Sequence, residues 1–234
     1  LAFTGSGSVS SAVAFDKESA KKKLVKTGIL LAEALCVTVG VESHFEKLTA
    51  FFLAHGNVVC KPQCDGSSVG LAFLSSLQEL SDWWKKVAPE QRNYIVEERL
   101  FGREFTVGVV DLGKGAQPLP VSEVVITNPG GAFDYEGKYL GRGTKEITPA
   151  VVTSEELAAL QKLGVTAHSG LGCFGYSRTD VILGPKGAYF LETNTLPGLT
   201  RASFIPQQLS AAGISMTEFL TAQVRLAEQR RKQL

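Results

Sequence analysis

The sequence predicts an α+β protein, and three features carry that reading. Runs rich in β-branched and aromatic residues come in pairs, "NYIVEERL" with "EFTVGVVDL" and "GYSRTDVIL" with "AYFLETNT". Glycine marks the turns inside each pair, most clearly at Gly184, Pro185, Lys186 and Gly187. A hydroxyl residue with glutamate three positions on recurs at Ser76/Glu79, Thr153/Glu156 and Ser215/Glu218, each opening a helix between or after the strands.

At 234 residues, with 44% hydrophobic and 20% charged side chains, the chain can bury the core of one large domain or two small ones. A formal charge of +1, from 24 basic and 23 acidic residues, gives no global field toward nucleic acid or an anionic membrane. Any anion must then be held by a local site. The apolar stretches "GILLAEAL" and "LTAFFLAHG" stop well short of the roughly 18 residues of a membrane span. The expected partners therefore include neither nucleic acid nor membrane. Cys36, Cys60, Cys64 and Cys173 form neither a dense disulfide framework nor paired CxxC half-sites, which points to a reducing cytoplasm. Ordinary thiols beside a strand are favoured over a zinc site from His55, Cys60 and Cys64. The chain starts at Leu1, and "LAFTGSGSVS" reads as a strand end and turn entered from an earlier segment.

Taken in order, "DKESAKKKLVKTG" has Asp16 as N-cap and Gly28 as stop, with Lys17 in the first helical turn. Residues 57–61 read as a strand, "KPQCDGSSVG" as a flexible loop and "VGLAFL" as a second strand. Leu77, Leu80, Trp83 and Trp84 form the apolar side of the next helix, and Leu157, Leu160 and Leu163 that of the helix after Thr153. Between them, residues 128–150 are glycine-rich and poor in aliphatics, a long functional loop, with 128–146 expected to close over a ligand. A C-terminal helix carries the stripe Met216, Phe219, Leu220 and Val224 and ends in the solvated basic "EQRRKQL".

Alternation puts Arg178 and Asp180 on one face of their strand, and Glu192 and Asn194 on one face of the next. The two acids meet only if Asp180 lies opposite Glu192. That centres the turn on Lys186 and demands an odd loop; an even loop pairing Leu183 with Ala188 would put the two acids on opposite faces and remove the site. The odd loop is the expectation. Two carboxylates about 4 Å apart repel by roughly 4 kcal/mol at an effective dielectric near 20, so a divalent cation is the natural companion. An all-oxygen donor set suits magnesium, although a surface hairpin with scattered polar residues fits the same pattern equally well. The glycines after Lys61 can present backbone N–H groups to a phosphate, although a plain flexible hairpin fits that loop equally well.

The segments "TGSGSVSSAVAFDK", "CKPQCDGSSVG", "VEERLFGREFTV", "FDYEGKYL", "SRTDVIL" and "LETNTLPGLTRASFIP" resemble, in that order, the ATP-grasp portion of the D-alanine:D-alanine ligase family. The resemblance runs nearly the whole chain. It implies an ATP-grasp fold, two α+β subdomains with the nucleotide between antiparallel sheets. It further implies residues 1–15 as the end of a missing N-terminal domain, 16–102 as the small subdomain and 103–234 as the large one. Members join two D-alanines for peptidoglycan precursors: ATP phosphorylates one carboxylate, and the second amine attacks the acyl phosphate. The resemblance also implies ATP and two magnesium ions, with manganese as a substitute, and a homodimer through the missing region.

By position, Lys17, Lys61 and Ser67 match phosphate-loop contacts, and Lys138 the lysine reaching the transferred phosphate. Glu97 and Glu104 match adenine and ribose contacts, with the main chain of Arg99 and Leu100 along the base; Arg99 departs from the tryptophan often found there. Asp180, Glu192 and Asn194 match the magnesium ligands. Arg178 and the N–H of Gly198 match the oxyanion-stabilising groups. Ser203 and Phe204 match residues around the second substrate's carboxylate, and Ser68 and Tyr139 a pair closing the loop. Tyr139 favours D-alanine over D-lactate and leaves D-serine open. His44, His55 and His168 fall on no motif and read as structural.

Overall fold

The computed structural model describes residues 1–66, 69–126 and 144–232. The expectations on Ser67, Ser68, Lys138 and Tyr139, and most of the loop expected to close, lie outside these residues. The architecture is α+β, as expected, built on two sheets.

The smaller sheet has four antiparallel strands in the order β2-β5-β3-β4: β2 (Ala34–Thr38), β3 (Val58–Pro62), β4 (Ala72–Leu74) and β5 (Asn93–Glu98). Period-two alternation divides its faces. Val58, Cys60, Tyr94 and Val96 point into a core with helices α3 (Glu42–His55) and α4 (Leu77–Val87). The opposite face carries Val59, Lys61 and Glu97. Helix α4 packs Leu80, Trp83, Trp84 and Val87, spaced as one helical face, and its N-cap Ser76 accepts from the Glu79 N–H at 3.2 Å. The return half of the expected capping box is displaced by one residue: Glu79 accepts from the Ser75 N–H at 2.7 Å.

The larger sheet has seven strands, running β1-β11-β10-β6-β8-β9 with β7 also on β6: β1 (Leu30–Leu31), β6 (Arg103–Asp111), β7 (Ala116–Pro118), β8 (Ser122–Ile126), β9 (Thr144–Ile147), β10 (Tyr176–Gly184) and β11 (Gly187–Asn194). Strand β9 lies inside the segment expected to be loop; its residues pair with β8, Val124 opposite Glu146. On one face, Phe105, Val107, Val181 and Phe190 pack against Ala20 and Leu24 of α2 (Lys17–Leu24) and Leu160, Leu163 and Leu171 of α5 (Ser154–Leu171). Thr153 and Glu156 make the full capping box of α5. On the other, α6 (Phe204–Ala211) and α7 (Met216–Lys232) bring Ile205, Leu209 and Phe219 to Val110 and Tyr176. The expected stripe of α7 is only partly right. Phe219, Gln223, Leu226 and Ala227 are buried, whereas Leu220 and Val224 are 47% and 51% exposed.

The N-terminal segment also differs from expectation, since α1 (Ser8–Phe15) begins where a turn was read. Its residues reach the C-terminal part of the chain: Ser10 donates to the Gly172 carbonyl at 2.6 Å, and the Thr195 hydroxyl to Ser11 at 3.1 Å. Asp16 caps α2 through the Ser19 N–H at 2.8 Å, and Gly28 follows with φ 79°, where glycine avoids the Cβ penalty.

The β10–β11 hairpin corrects the register argument. Leu183 pairs with Ala188 and Gly184 with Gly187, the even loop, yet Asp180 pairs with Glu192 and Arg178 with Asn194. A bulge between Asp180 and Val181 reconciles the two, because β11 uses one more residue there than β10. Val181 faces Phe190 in the core; Leu191 and Glu192 then both line the cleft face, which restores the acid pair that an unbroken even register would have split.

Candidate active-site cleft

Two adjoining chambers lie over the seven-stranded sheet, the first of them between it and the four-stranded one. The first, about 410 Å³, is walled by Lys61 and Glu97 of the four-stranded sheet and by Glu104, Asp180 and Glu192 of the seven-stranded one. The second, about 830 Å³, is lined by Arg178, Asn194, Gly198, Ser203 and Phe204. Lys17, Asp65, Gly66 and Glu192 line both, so the chambers form one cleft. Every described residue expected at a site lines one chamber or the other, Arg99 and Leu100 included.

On the four-stranded wall, Glu97 is 4% exposed and ion-paired at 2.5 Å with both Lys21 and Lys61, through Oε1 and Oε2 respectively. Burial alone would raise its carboxyl; the Lys61 and Lys21 charges outweigh that and hold it below the usual carboxylate range. Lys61 shows the converse: burial pulls its ammonium down, and Glu97 more than restores it. Lys17 Nζ donates to the Asp65 carbonyl at 2.7 Å and to that of Pro62 at 3.3 Å, and burial lowers its pKa despite Glu192. These contacts fold the glycine-rich loop back onto the first turn of α2. The Arg99 N–H donates to the Asn57 carbonyl at 2.9 Å, while its guanidinium lies 4.8 Å from the Phe73 ring centroid and 5.1 Å from that of Phe101.

On the seven-stranded wall, Arg178 grips Asp180 in a fork, Nε to Oδ1 and Nη2 to Oδ2, both at 3.0 Å. Asp180 Oδ1 also accepts from the Thr106 hydroxyl at 2.7 Å, and Arg178 stacks 5.7 Å from the Phe204 ring. Gly198 has no side chain for a physical reason: a Cβ there would lie 2.6 Å from Ser203 Oγ, which bonds Thr200 Oγ1 at 2.9 Å. Asn194 Oδ1 accepts from the Leu196 N–H at 2.9 Å.

Sequence reasoning missed several participants. Lys21 follows Lys17 by one helical turn, and that i, i+4 spacing was a signal hidden in the run "AKKKL". Thr106 shares the outward face of β6 with Glu104. Gln208 gave no local signal. It is fully buried, donates to the Thr106 carbonyl at 2.9 Å and to Ser122 Oγ at 3.0 Å, and accepts from the Gly108 N–H at 3.0 Å, fixing β6 on the face that Glu104 and Thr106 share.

The sequence profile described as D-ala D-ala ligase C-terminus matches residues 47–225. The chain belongs to this family. Among its relatives, the D-alanine–D-alanine ligase of Leptospira interrogans is 37% identical over 232 residues, covering 93% of this chain and 63% of that protein. The chain thus spans less than two thirds of that relative's length. The crystal structure of D-alanine–D-alanine ligase from Bacillus anthracis superposes with a TM-score of 0.83 at 28% identity, over 99% of this chain and 73% of that one. That of VanG D-Ala:D-Ser ligase from Enterococcus faecalis gives 0.82 at 29%, over 96% and 64%. The ATP-grasp fold of the ligases is therefore the fold of this chain. No helix among its described residues is long and apolar enough to cross a membrane.

Proposed function

We propose that this chain is the ATP-binding and catalytic part of an enzyme joining two D-alanines into the dipeptide used for peptidoglycan precursors, working in the cytoplasm. The observation that carries the reading is the single cleft, with Lys17 and Glu192 at the junction of a chamber suited to a nucleotide and one suited to amino acids. In the first, Glu104 holds the ribose and Glu97 the base edge. The Arg99 N–H is already bonded within the protein, so the main-chain groups proposed along the base are the Arg99 carbonyl and those of Leu100. Lys17 and Lys61 direct the phosphates to Glu192. In the second, Ser203 and Phe204 seat the carboxylate of the second substrate.

The donor set fits a divalent cation. Asp180, Glu192 and Asn194 offer oxygen alone, and the nucleotide chamber is lined by seven carboxylates against four basic side chains. A polyphosphate would be repelled there unless cations entered with it. Asp180, Glu192 and Asn194 would hold magnesium, which would supply charge neutralisation to the phosphates. The protein's own contribution is positioning. Arg178 and the Gly198 N–H stand where negative charge develops as the amine adds to the acyl phosphate and phosphate departs, a preorganised arrangement of donors.

The test is dipeptide formation with magnesium–ATP, offering D-alanine, D-serine or D-lactate as the second substrate. D-Alanyl-D-alanine with stoichiometric ADP and phosphate is expected, and ADP release only with a different acid and amine would overturn the substrate assignment. The similarity to a D-Ala:D-Ser ligase makes D-serine the competitor to measure. A second reading, a nucleotide-binding module without turnover, is favoured by the 63% span of the Leptospira relative; it predicts nucleotide binding with no ADP release on any substrate.

A further inference from the structure

Lys21 stands behind the cleft rather than in it. It is 8% exposed, its Nζ donates to the Ala32 carbonyl at 2.8 Å, and it pairs with Glu97 at 2.5 Å. Glu97 and Lys61 line the nucleotide chamber and Lys21 does not, so its influence there passes through Glu97. The carboxylate is divided, Oε1 to Lys21 and Oε2 to Lys61.

We propose that Lys21 is a positioning residue for Lys61: by occupying one oxygen of Glu97, it holds Lys61 on the other and leaves the buried trio with a net positive charge toward a bound polyphosphate. The proposal rests on the nucleotide reading above. A carboxylate facing one lysine makes a neutral pair; shared between two ammonium groups, it leaves one unit of positive charge, weakly screened where the groups are buried. In a chamber whose other charges are mainly carboxylates, that unit counts toward an anion's affinity. Lys21 also sits on the helix that carries Lys17, so its bond to Glu97 fixes the separation of the two phosphate-facing lysines across the sheets.

Lys21→Gln removes the charge but keeps a donor for the Ala32 carbonyl, and Lys21→Arg keeps the charge. The probes are inorganic tripolyphosphate, a non-hydrolysable magnesium–ATP analogue and uncharged adenosine, titrated calorimetrically into the whole chain. Lys21→Gln is expected to weaken tripolyphosphate and the analogue about tenfold, close to 1.4 kcal/mol, and to leave adenosine within about threefold. Lys21→Arg should restore the anions to within about threefold of the unaltered chain. Equal tripolyphosphate binding with and without the charge overturns the proposal and leaves the nucleotide reading standing. Parallel loss of adenosine and tripolyphosphate overturns it in favour of a purely structural role. An unaltered chain that binds none of the probes overturns the nucleotide reading and this proposal together. Lys21→Met, which buries no new polar group, is held to the same outcomes where Lys21→Gln does not fold.

Discussion

On the four-stranded wall of the cleft a carboxylate is buried between two lysines, Lys21 and Lys61; on the seven-stranded wall a carboxylate, Asp180, is gripped by the single guanidinium of Arg178 beside Glu192. The first arrangement joins helix α2 to strands β3 and β5, and its side chains are largely buried. The Glu97 carboxylate offsets one of two buried ammonium charges, so removing it leaves both without compensation. The second is built within one hairpin and opens onto both chambers through Glu192. Glu97 is therefore expected to answer to mutation first through stability and Glu192 first through ligand affinity, with Lys21 reaching affinity through Glu97.

The largest effect should come from Glu97→Ala, which strands two lysines in a buried site and is expected to cost about 3–5 kcal/mol in urea unfolding. A loss below about 1 kcal/mol would erase the distinction between the walls. His168, on neither wall, supplies a control of known sign. It is 4% exposed, bonded to Ser177 at 2.8 Å, and burial depresses its pKa to about 4, against about 6.5 unfolded. The unfolded chain therefore takes up a proton that the folded chain refuses. Stability is unaffected above about pH 6.5 and falls by about 3 kcal/mol as pH drops toward 4. Urea midpoints across that range should flatten in His168→Gln, and an unchanged slope would assign the effect to other groups.

Glu192→Gln should weaken magnesium-dependent binding of an ATP analogue by about 100-fold, while moving the unfolding midpoint little. A large midpoint shift with intact binding would reverse the roles of the walls. Smallest is Thr153→Ala, distant from both, which removes a cap bond of 3.2 Å and should cost about 1 kcal/mol without altering affinity.

The parts readable in the sequence were those whose signal is local. Alternation in "SRTDVIL" and "LETN" placed Arg178, Asp180, Glu192 and Asn194 on cleft-facing positions, and Thr153 with Glu156 marked its helix start. The bulge was not readable, because parity in a hairpin is set by the whole ladder: the two-residue turn at Pro185 and Lys186 and the acid pair each looked decisive alone, and only an extra residue at Leu191 satisfies both. The buried face of α7 was misjudged because sequence periodicity does not say which side meets the sheet. Gln223 lies inside, bonded to the Asp111 carbonyl at 2.8 Å, while the apolar Leu220 and Val224 lie outside. Gln208 and Lys21 act across 102 and 76 residues of chain, at Thr106 and Glu97, and no window of sequence contains both partners.

The central claim is that the cleft between the sheets holds a nucleotide together with a divalent cation. Calorimetric titration of the unaltered chain with a non-hydrolysable ATP analogue, with and without magnesium, tests it most directly. The account predicts saturable one-to-one binding that needs magnesium for most of its affinity. A folded chain that binds no analogue, or binds it equally well with the metal chelated, would contradict it.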